Sequence, residues 1–296
     1  MKELVVLSGK GGTGKTSLVA SFAALAKNAI LADCDVDAPD LCIILSPKML
    51  EIKDFIGGKK ARIMHGHCTA CGKCEELCRF DAIFYDGPGN GMQDKTFRID
   101  QQACEGCGVC AWFCEEHAIE FKEVVNGKLF ISNTRFGELV HAQLGIAEEN
   151  SGKLVTLVKE KAKEIGESKK SDLLIVDGSP GIGCPVIAST SGANLLLVVT
   201  EPTLSGIHDM ERVLHLGKHF NIPSAICINK WDLNEEMSGK IEEIASRNGS
   251  KIVGKIKYDR VVIKAQVNKL SVVEYTDDGV AKDIKKVWSN VRTLLS

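Results

Sequence analysis

"LSGKGGTGKTS" (residues 7–17) follows the apolar run "LVVL" and leads into "TSLVASFAALAK". A strand, a glycine-rich turn and a helical pattern, in that order, are the setting in which G-x-x-x-x-G-K-[ST] acts as a phosphate-binding loop. The glycines let backbone N–H groups turn inward around an anion, and the helix N-terminus adds partial positive charge. Gly9, Lys10, Gly11, Gly12, Thr13, Gly14, Lys15, Thr16 and Ser17 are the expected contacts. Lys15 is expected to reach the β- and γ-phosphates of a nucleotide, and Thr16 to ligate Mg2+.

Two acidic strand ends follow. "AILADCDVDAPD" (29–40) places Asp33 and Asp35 at the end of a second apolar strand. "DLLIVDGSPGIG" (172–183) ends a third at Asp177, whose carboxylate is expected to hold Mg2+ through water, with 178–183 as a flexible switch. Further strand patterns at 194–202, 224–230 and 251–256 alternate with helical patterns at 154–167, 206–219, 236–247 and 280–295. Such alternation predicts an α/β fold with a mostly parallel sheet covered by helices on both faces. The last pattern puts Val280, Ile284, Val287, Val291 and Leu294 on one face. It reads as a helix docked on the sheet in preference to a membrane-binding tail.

Twelve cysteines is a high count, and eight of them lie between Cys68 and Cys114. Clustering of this kind points to metal or redox chemistry more than to a disulfide framework. Cys68, Cys71, Cys74 and Cys78 give C-x2-C-x2-C-x3-C, and Cys104, Cys107, Cys110 and Cys114 repeat it 36 positions later. The repeat extends beyond the thiols: Ile63 recurs as Ile99, and Ala82-Ile83 as Ala118-Ile119. Two half-domains around a shared core account for this. Three thiolates in a tight loop suit three corners of a [4Fe–4S] cube, while the fourth begins a helix that points elsewhere. Paired zinc sites are the alternative, though these usually combine two cysteine pairs.

The spacing resembles that of 2[4Fe–4S] ferredoxins over residues 61–122. The resemblance implies that each fourth cysteine serves the other cluster. Cys68, Cys71, Cys74 and Cys114 then form one set, and Cys104, Cys107, Cys110 and Cys78 the other. Arg79 and Glu115 stand where ferredoxins usually place proline, which removes no ligand. "DGPGNGMQDK" (86–95) reads as a mobile surface loop between the halves. The expected organisation is a P-loop domain over 1–60 and 123–296, interrupted by an α+β ferredoxin-like domain at 61–122.

Lys10 turns the loop into K-G-G-T-G-K-T, which resembles the deviant Walker A of the MinD/ParA/Mrp and nitrogenase-iron-protein ATPases. The resemblance implies a face-to-face, ATP-dependent homodimer in which Lys10 reaches the opposite subunit's nucleotide. It also implies that Asp35 orients the attacking water. "NKWD" (229–232) fits the guanine-reading N-K-x-D, with Asn229, Lys230 and Asp232 as candidate contacts; in the resembled group the strand-end asparagine commonly meets adenine, which favours ATP. "SNTRFG", "EENSGKLV", "DGSPGIGCP" and "TEPTLSG" extend the likeness to MinD-superfamily ATPases with an inserted ferredoxin domain.

A net charge of −2 gives no general attraction to nucleic acid, and no apolar run is long enough to span a bilayer. The opening "MKELVVLSGKGG" lacks a signal-peptide layout, so a cytoplasmic location is expected. Cys184, just past the switch, and Cys34 and Cys42 are expected to pack as small buried residues. His65 and His67 read as solvated loop histidines, with tuning of a cluster as the sharper alternative. The reading that joins these features is an ATP-gated electron carrier serving a redox or metalloprotein partner. Its alternatives are an ATP-dependent metal-cofactor assembly factor and a ParA-like positioning protein with structural clusters.

Overall fold

The apolar run before the glycine loop forms β1 (Lys2–Leu7), buried from its second residue onward. Continuous burial, without alternation, is what a strand covered on both faces requires. In the computed structural model, which describes residues 1–145 and 151–296, α1 (Lys15–Leu25) starts directly after Gly14. β2 (Ala29–Asp33) is buried throughout and is followed by α2 (Leu41–Leu45) and the long β3 (Lys48–Ile63). Next come α3 (Lys73–Leu77), β4 (Ile83–Gly87), β5 (Thr96–Ile99), α4 (Val109–Trp112) and the equally long β6 (Ile119–Thr134). The remainder alternates β7 (Gly137–Leu144), α5 (Ser151–Ser168), β8 (Leu173–Asp177), α6 (Cys184–Thr190), β9 (Leu195–Thr200), α7 (Leu204–His219), β10 (Ser224–Asn229), α8 (Glu235–Arg247) and β11 (Lys251–Ile256). Three helices, α9 (Val261–Val267), α10 (Val272–Tyr275) and α11 (Val280–Leu295), end the chain.

The chain divides into two compact units, one of Met1–Lys53, Leu129–Gln143 and Ser151–Ser296, the other of Asp54–Lys128 and Leu144–Asn150. In the first, strands run in the order β11-β10-β9-β1-β8-β2-β7, continued by β6 and β3, and the pairings from β11 through β7 are parallel. Parallel strands put their carboxyl ends on one edge, where ligands of open α/β sheets bind. The loop after β1, Asp33 ending β2 and Asp177 ending β8 all reach that edge, and Asp33 and Asp177 are register partners. α11 packs on β11 and beside α1, burying Val280, Ile284, Val287, Val291 and Leu295 in the main core, with Trp288 4.9 Å from Phe22 of α1. The apolar face of the last helix is therefore spent on the sheet, as its pattern predicts, except that Leu295 rather than Leu294 is buried, Leu294 packing only partly against the core. Among the described residues, no helix is long and apolar enough to cross a membrane.

The second unit is built on the 36-residue repeat. α3 and α4 begin at Lys73 and Val109, one repeat apart, each after a glycine with positive φ (Gly72 +83°, Gly108 +77°). Met64 N–H donates to Ala118 O at 2.8 Å, and the repeat-related Asp100 N–H donates to Ala82 O at 2.8 Å. The core of this unit holds the repeat pairs Ala61 with Phe97, Ile63 with Ile99 and Ile83 with Ile119, packed with Cys68 and Ala118. β4 and β5 pair antiparallel.

Several expectations change. The cysteine-bearing unit is wider than 61–122, starting at Asp54 and running to Lys128, because β3 and β6 continue as long strands past the repeat. The loop at 86–95 is tied down: Asn90 donates to His65 O (2.8 Å) and Cys68 O (2.9 Å) and accepts from Gln93 N–H, and Thr96 Oγ1 donates to Pro88 O. His65 is likewise committed, with Nδ1 2.8 Å from Thr96 Oγ1. β7, unread in the sequence, is a strand of the main sheet. Residues 148–150 of "EENSGKLV" lie outside the described residues.

Candidate functional site

At the edge of the first unit, the glycine loop is shaped by its neighbours. Gly14 has φ +88°, and a Cβ there would lie 2.4 Å from Asn229 Nδ2. A Cβ on Gly9 would fall 2.0 Å from Asp209 Cβ on α7, so only glycine lets the loop pass. Around Gly11 and Gly12 the space is open. Thr13 Oγ1 is buried with no hydrogen-bond partner among the described residues. Open space beside a glycine turn and an unspent hydroxyl fit a phosphate-bearing ligand there.

Lys15 Nζ is ion-paired with Asp177 Oδ1, and both side chains are buried. Burial works to lower the Lys15 pKa, but Asp177, with Asp33 and Asp35, outweighs it and holds the ammonium above its ordinary value. Burial first, then the charge of Asp177, pushes the Asp33 carboxyl well above the usual range. Asp33 accepts from the backbone N–H groups of Asp35 (3.1 Å) and Leu41 (3.2 Å), so it fixes the course of the segment leading to α2. Asp35 is half-buried, its carboxyl raised chiefly by burial. Thr16 is half-buried at the first turn of α1, and its hydroxyl and the Asp177 carboxylate are donor types that Mg2+ takes. Ser17 faces the protein instead, accepting from Gln266 Nε2 at 2.8 Å.

The strand end at 229–232 also serves the loop. Asn229 Nδ2 donates to Thr13 O (2.6 Å), and Lys230 Nζ donates to Gly12 O (3.0 Å). Asp232 Oδ1 instead accepts from Tyr258 N–H at 2.8 Å. Lys10 does not project away from its own chain: its Nζ lies 2.5 Å from Glu201 Oε1. Glu201 was missed as a site residue because, in sequence, it is one acid after an apolar strand.

In the second unit the cysteines gather into two sets. One cavity, of about 390 Å3, is lined by Cys68, Cys71, Cys74 and Cys114. Another, of about 20 Å3, is lined by Cys78, Cys104, Cys107 and Cys110. Each therefore takes three thiols from one run and the fourth from the other. Among the described residues no three His, Cys, Asp or Glu side chains converge tightly enough for a single metal ion. Four thiols around each cavity are the donor set that a [4Fe–4S] cluster takes, one per iron, although the second cavity, at about 20 Å3, leaves little space between them. Burial pushes the Cys74 and Cys110 thiols up to about 11.

The remaining cysteines divide differently from expectation. Cys34 and Cys227 are buried, Cys42 is half-buried, and Cys184 is exposed at the start of α6. Packing does not account for Cys184, which is the first residue of α6 and exposed.

Comparison with known proteins places the chain in a family. The family described as "CobQ/CobB/MinD/ParA nucleotide binding domain" matches residues 4–272. An uncharacterized protein of Methanocaldococcus jannaschii is 31% identical, over 99% of this chain and 97% of its own. The septum site-determining protein MinD of Bacillus subtilis is 24% identical, over 88% of this chain and 78% of its own. The structure of septum site-determining protein MinD from Pyrococcus horikoshii, complexed with Mg-ADP, aligns over 99% of this chain and 96% of its own, with TM-score 0.59 and 15% identity. With its phosphate-binding loop, its two acidic strand ends and its parallel sheet, this chain belongs to the CobQ/CobB/MinD/ParA nucleotide-binding family of P-loop ATPases.

Proposed function

We propose that this chain is an ATP-hydrolysing switch that carries two [4Fe–4S] clusters and couples its nucleotide cycle to electron delivery to a redox partner. The observation that carries the cluster half is the crossed lining of the two cavities, each with four cysteines and each completed by the other run. Bound clusters would each supply one-electron capacity, and bound Mg–ATP the free energy of the cycle. The chain's own residues do the rest. Thr16 and Asp177 would hold Mg2+, Lys15 would turn from Asp177 to the β/γ-phosphates, and Asp35 would orient the attacking water. Asn229 and Lys230 keep the loop in shape through the Thr13 and Gly12 carbonyls, and Lys10 would act across an ATP-dependent homodimer.

Coupling is supported by Arg135. It lies in the turn between β6 and β7, where the chain has returned, and it donates to Leu45 O (2.7 Å) and Ile44 O (3.4 Å) at the end of α2 and pairs with Glu274 at 2.6 Å. The chain leaves for the cysteine-bearing unit just after α2, so one guanidinium binds the outgoing and returning segments together.

A second reading has its own support. A ParA-like positioning protein with structural clusters fits the comparisons more closely than an electron carrier does, since MinD of Bacillus subtilis is named for septum-site determination. Metal analysis tests what both readings share. Protein purified without oxygen should contain about eight iron and eight sulfide per chain and show reduced-cluster paramagnetic signals after dithionite. Stoichiometric zinc without iron after anaerobic reconstitution would reject the clusters.

A further inference from the structure

We propose that Glu201 is a positioning residue that holds Lys10 on its own chain and so sets the threshold at which two ATP-loaded chains pair. This rests on the dimer reading above. A lysine ammonium has three protons to donate. Lys10 Nζ has three acceptors in cis: Glu201 Oε1 at 2.5 Å, Ser205 Oγ at 3.3 Å and Thr203 Oγ1 at 3.5 Å. Its donors are thus all spent at the start of α7, where Thr203 also caps the helix by accepting from Gly206 N–H. Reaching a second nucleotide means giving up all three.

The carboxylate is shared. Glu201 Oε2 takes Lys230 Nζ at 3.1 Å, and Lys230 in turn holds Gly12 O in the glycine loop. Although burial opposes ionisation of Glu201, the hydrogen bonds from Lys10 and Lys230 keep its pKa below the usual range. The Glu201 side chain is 15% exposed and that of Lys10 33%, so the pair is weakly screened by solvent. Phosphates entering the loop bring negative charge towards Glu201, and a second copy's nucleotide offers Lys10 a stronger anion than one carboxylate. Glu201 therefore competes with the partner's nucleotide for one ammonium.

Glu201→Gln keeps the shape and removes the charge. With full-length protein and a non-hydrolysable ATP analogue, sedimentation velocity should show this variant pairing at about five- to tenfold lower protein concentration than wild type. Nucleotide affinity, read separately with a fluorescent ATP analogue, should move less than dimerisation does. In the Lys10→Ala background the same substitution should give no gain, because Glu201 acts through Lys10. Ser205→Ala, which removes a weaker acceptor, should shift pairing in the same direction by less, and keeps the test open should Glu201→Gln fold poorly. Wild type that pairs with ATP while neither variant pairs more readily would overturn the proposal. So would a gain that survives in the Lys10→Ala background. Absence of pairing by every protein would instead remove the dimer reading, and this inference with it.

Discussion

Lys15→Ala should abolish nucleotide binding and also destabilise the empty protein. The first loss follows from removing the main side-chain cation of the phosphate site. The second follows from what Lys15 neutralises, because Asp177 and Asp33 are 1% and 0% exposed and face each other across the β2–β8 pairing. Breaking a buried ion pair by deleting one partner typically costs about 3–5 kcal/mol, since the other charge stays behind uncompensated. The deficit should depend on pH in a set direction. Without the ammonium, the already raised carboxyl pKa of Asp33 rises further. A folded state that binds protons more readily than the unfolded one gains stability as pH falls. The melting temperature of Lys15→Ala should thus approach that of wild type as pH is lowered from 7 towards 5. Asp177→Asn added to Lys15→Ala should recover stability at neutral pH without recovering nucleotide binding. Loss of binding with unchanged stability in Lys15→Ala would show that the buried carboxylates find another counter-charge.

Cys114→Ala should remove one cluster and leave the other. The informative comparison is between double variants, because changes within one site do not add. Cys71 and Cys114 line the same cavity, so Cys71→Ala with Cys114→Ala should still retain about four iron. Cys107 lines the other, so Cys107→Ala with Cys114→Ala should lose nearly all iron. If each cysteine run held its own cluster, the two results would be exchanged. Iron analysis of anaerobically reconstituted protein distinguishes them.

How much of this was legible beforehand depended on how local each feature is. The strand, loop and helix at 2–25 were readable because the motif is contiguous and its glycines answer to geometry within the loop. The repeat was readable because Cys68 to Cys78 and Ile63 return 36 positions later. What escaped needs contacts between distant residues. "GELVHAQL" has no clear strand signature, and it becomes β7 because β2 offers it a parallel partner. Asn90 reads as a loop residue in a glycine-rich stretch, yet its amide pins the first cysteine loop through two carbonyls. Glu201 is 191 positions from Lys10, and only the neighbouring ends of β1 and β9 bring them together. Where β3 and β6 end was also hidden, since "KMLEIKDFIGGKKARI" mixes polar and apolar residues without a clean period.

If the proposed function holds, the nucleotide site and the clusters belong to one thermodynamic cycle. A ligand shifts an equilibrium only through unequal affinity for its two states, and linked sites typically couple by about 1–3 kcal/mol. For one-electron transfer a tenfold change in equilibrium constant corresponds to about 59 mV. The most direct measurement is a potentiometric titration of the clusters in anaerobic full-length protein with ADP, with a non-hydrolysable ATP analogue, and without nucleotide. Midpoint potentials should differ by tens of millivolts between the ADP and ATP-analogue forms, and nucleotide affinity should change by the matching factor on cluster reduction. Identical potentials in all three states, with an affinity indifferent to cluster oxidation, would contradict that coupling and leave the clusters as structural parts of a positioning ATPase.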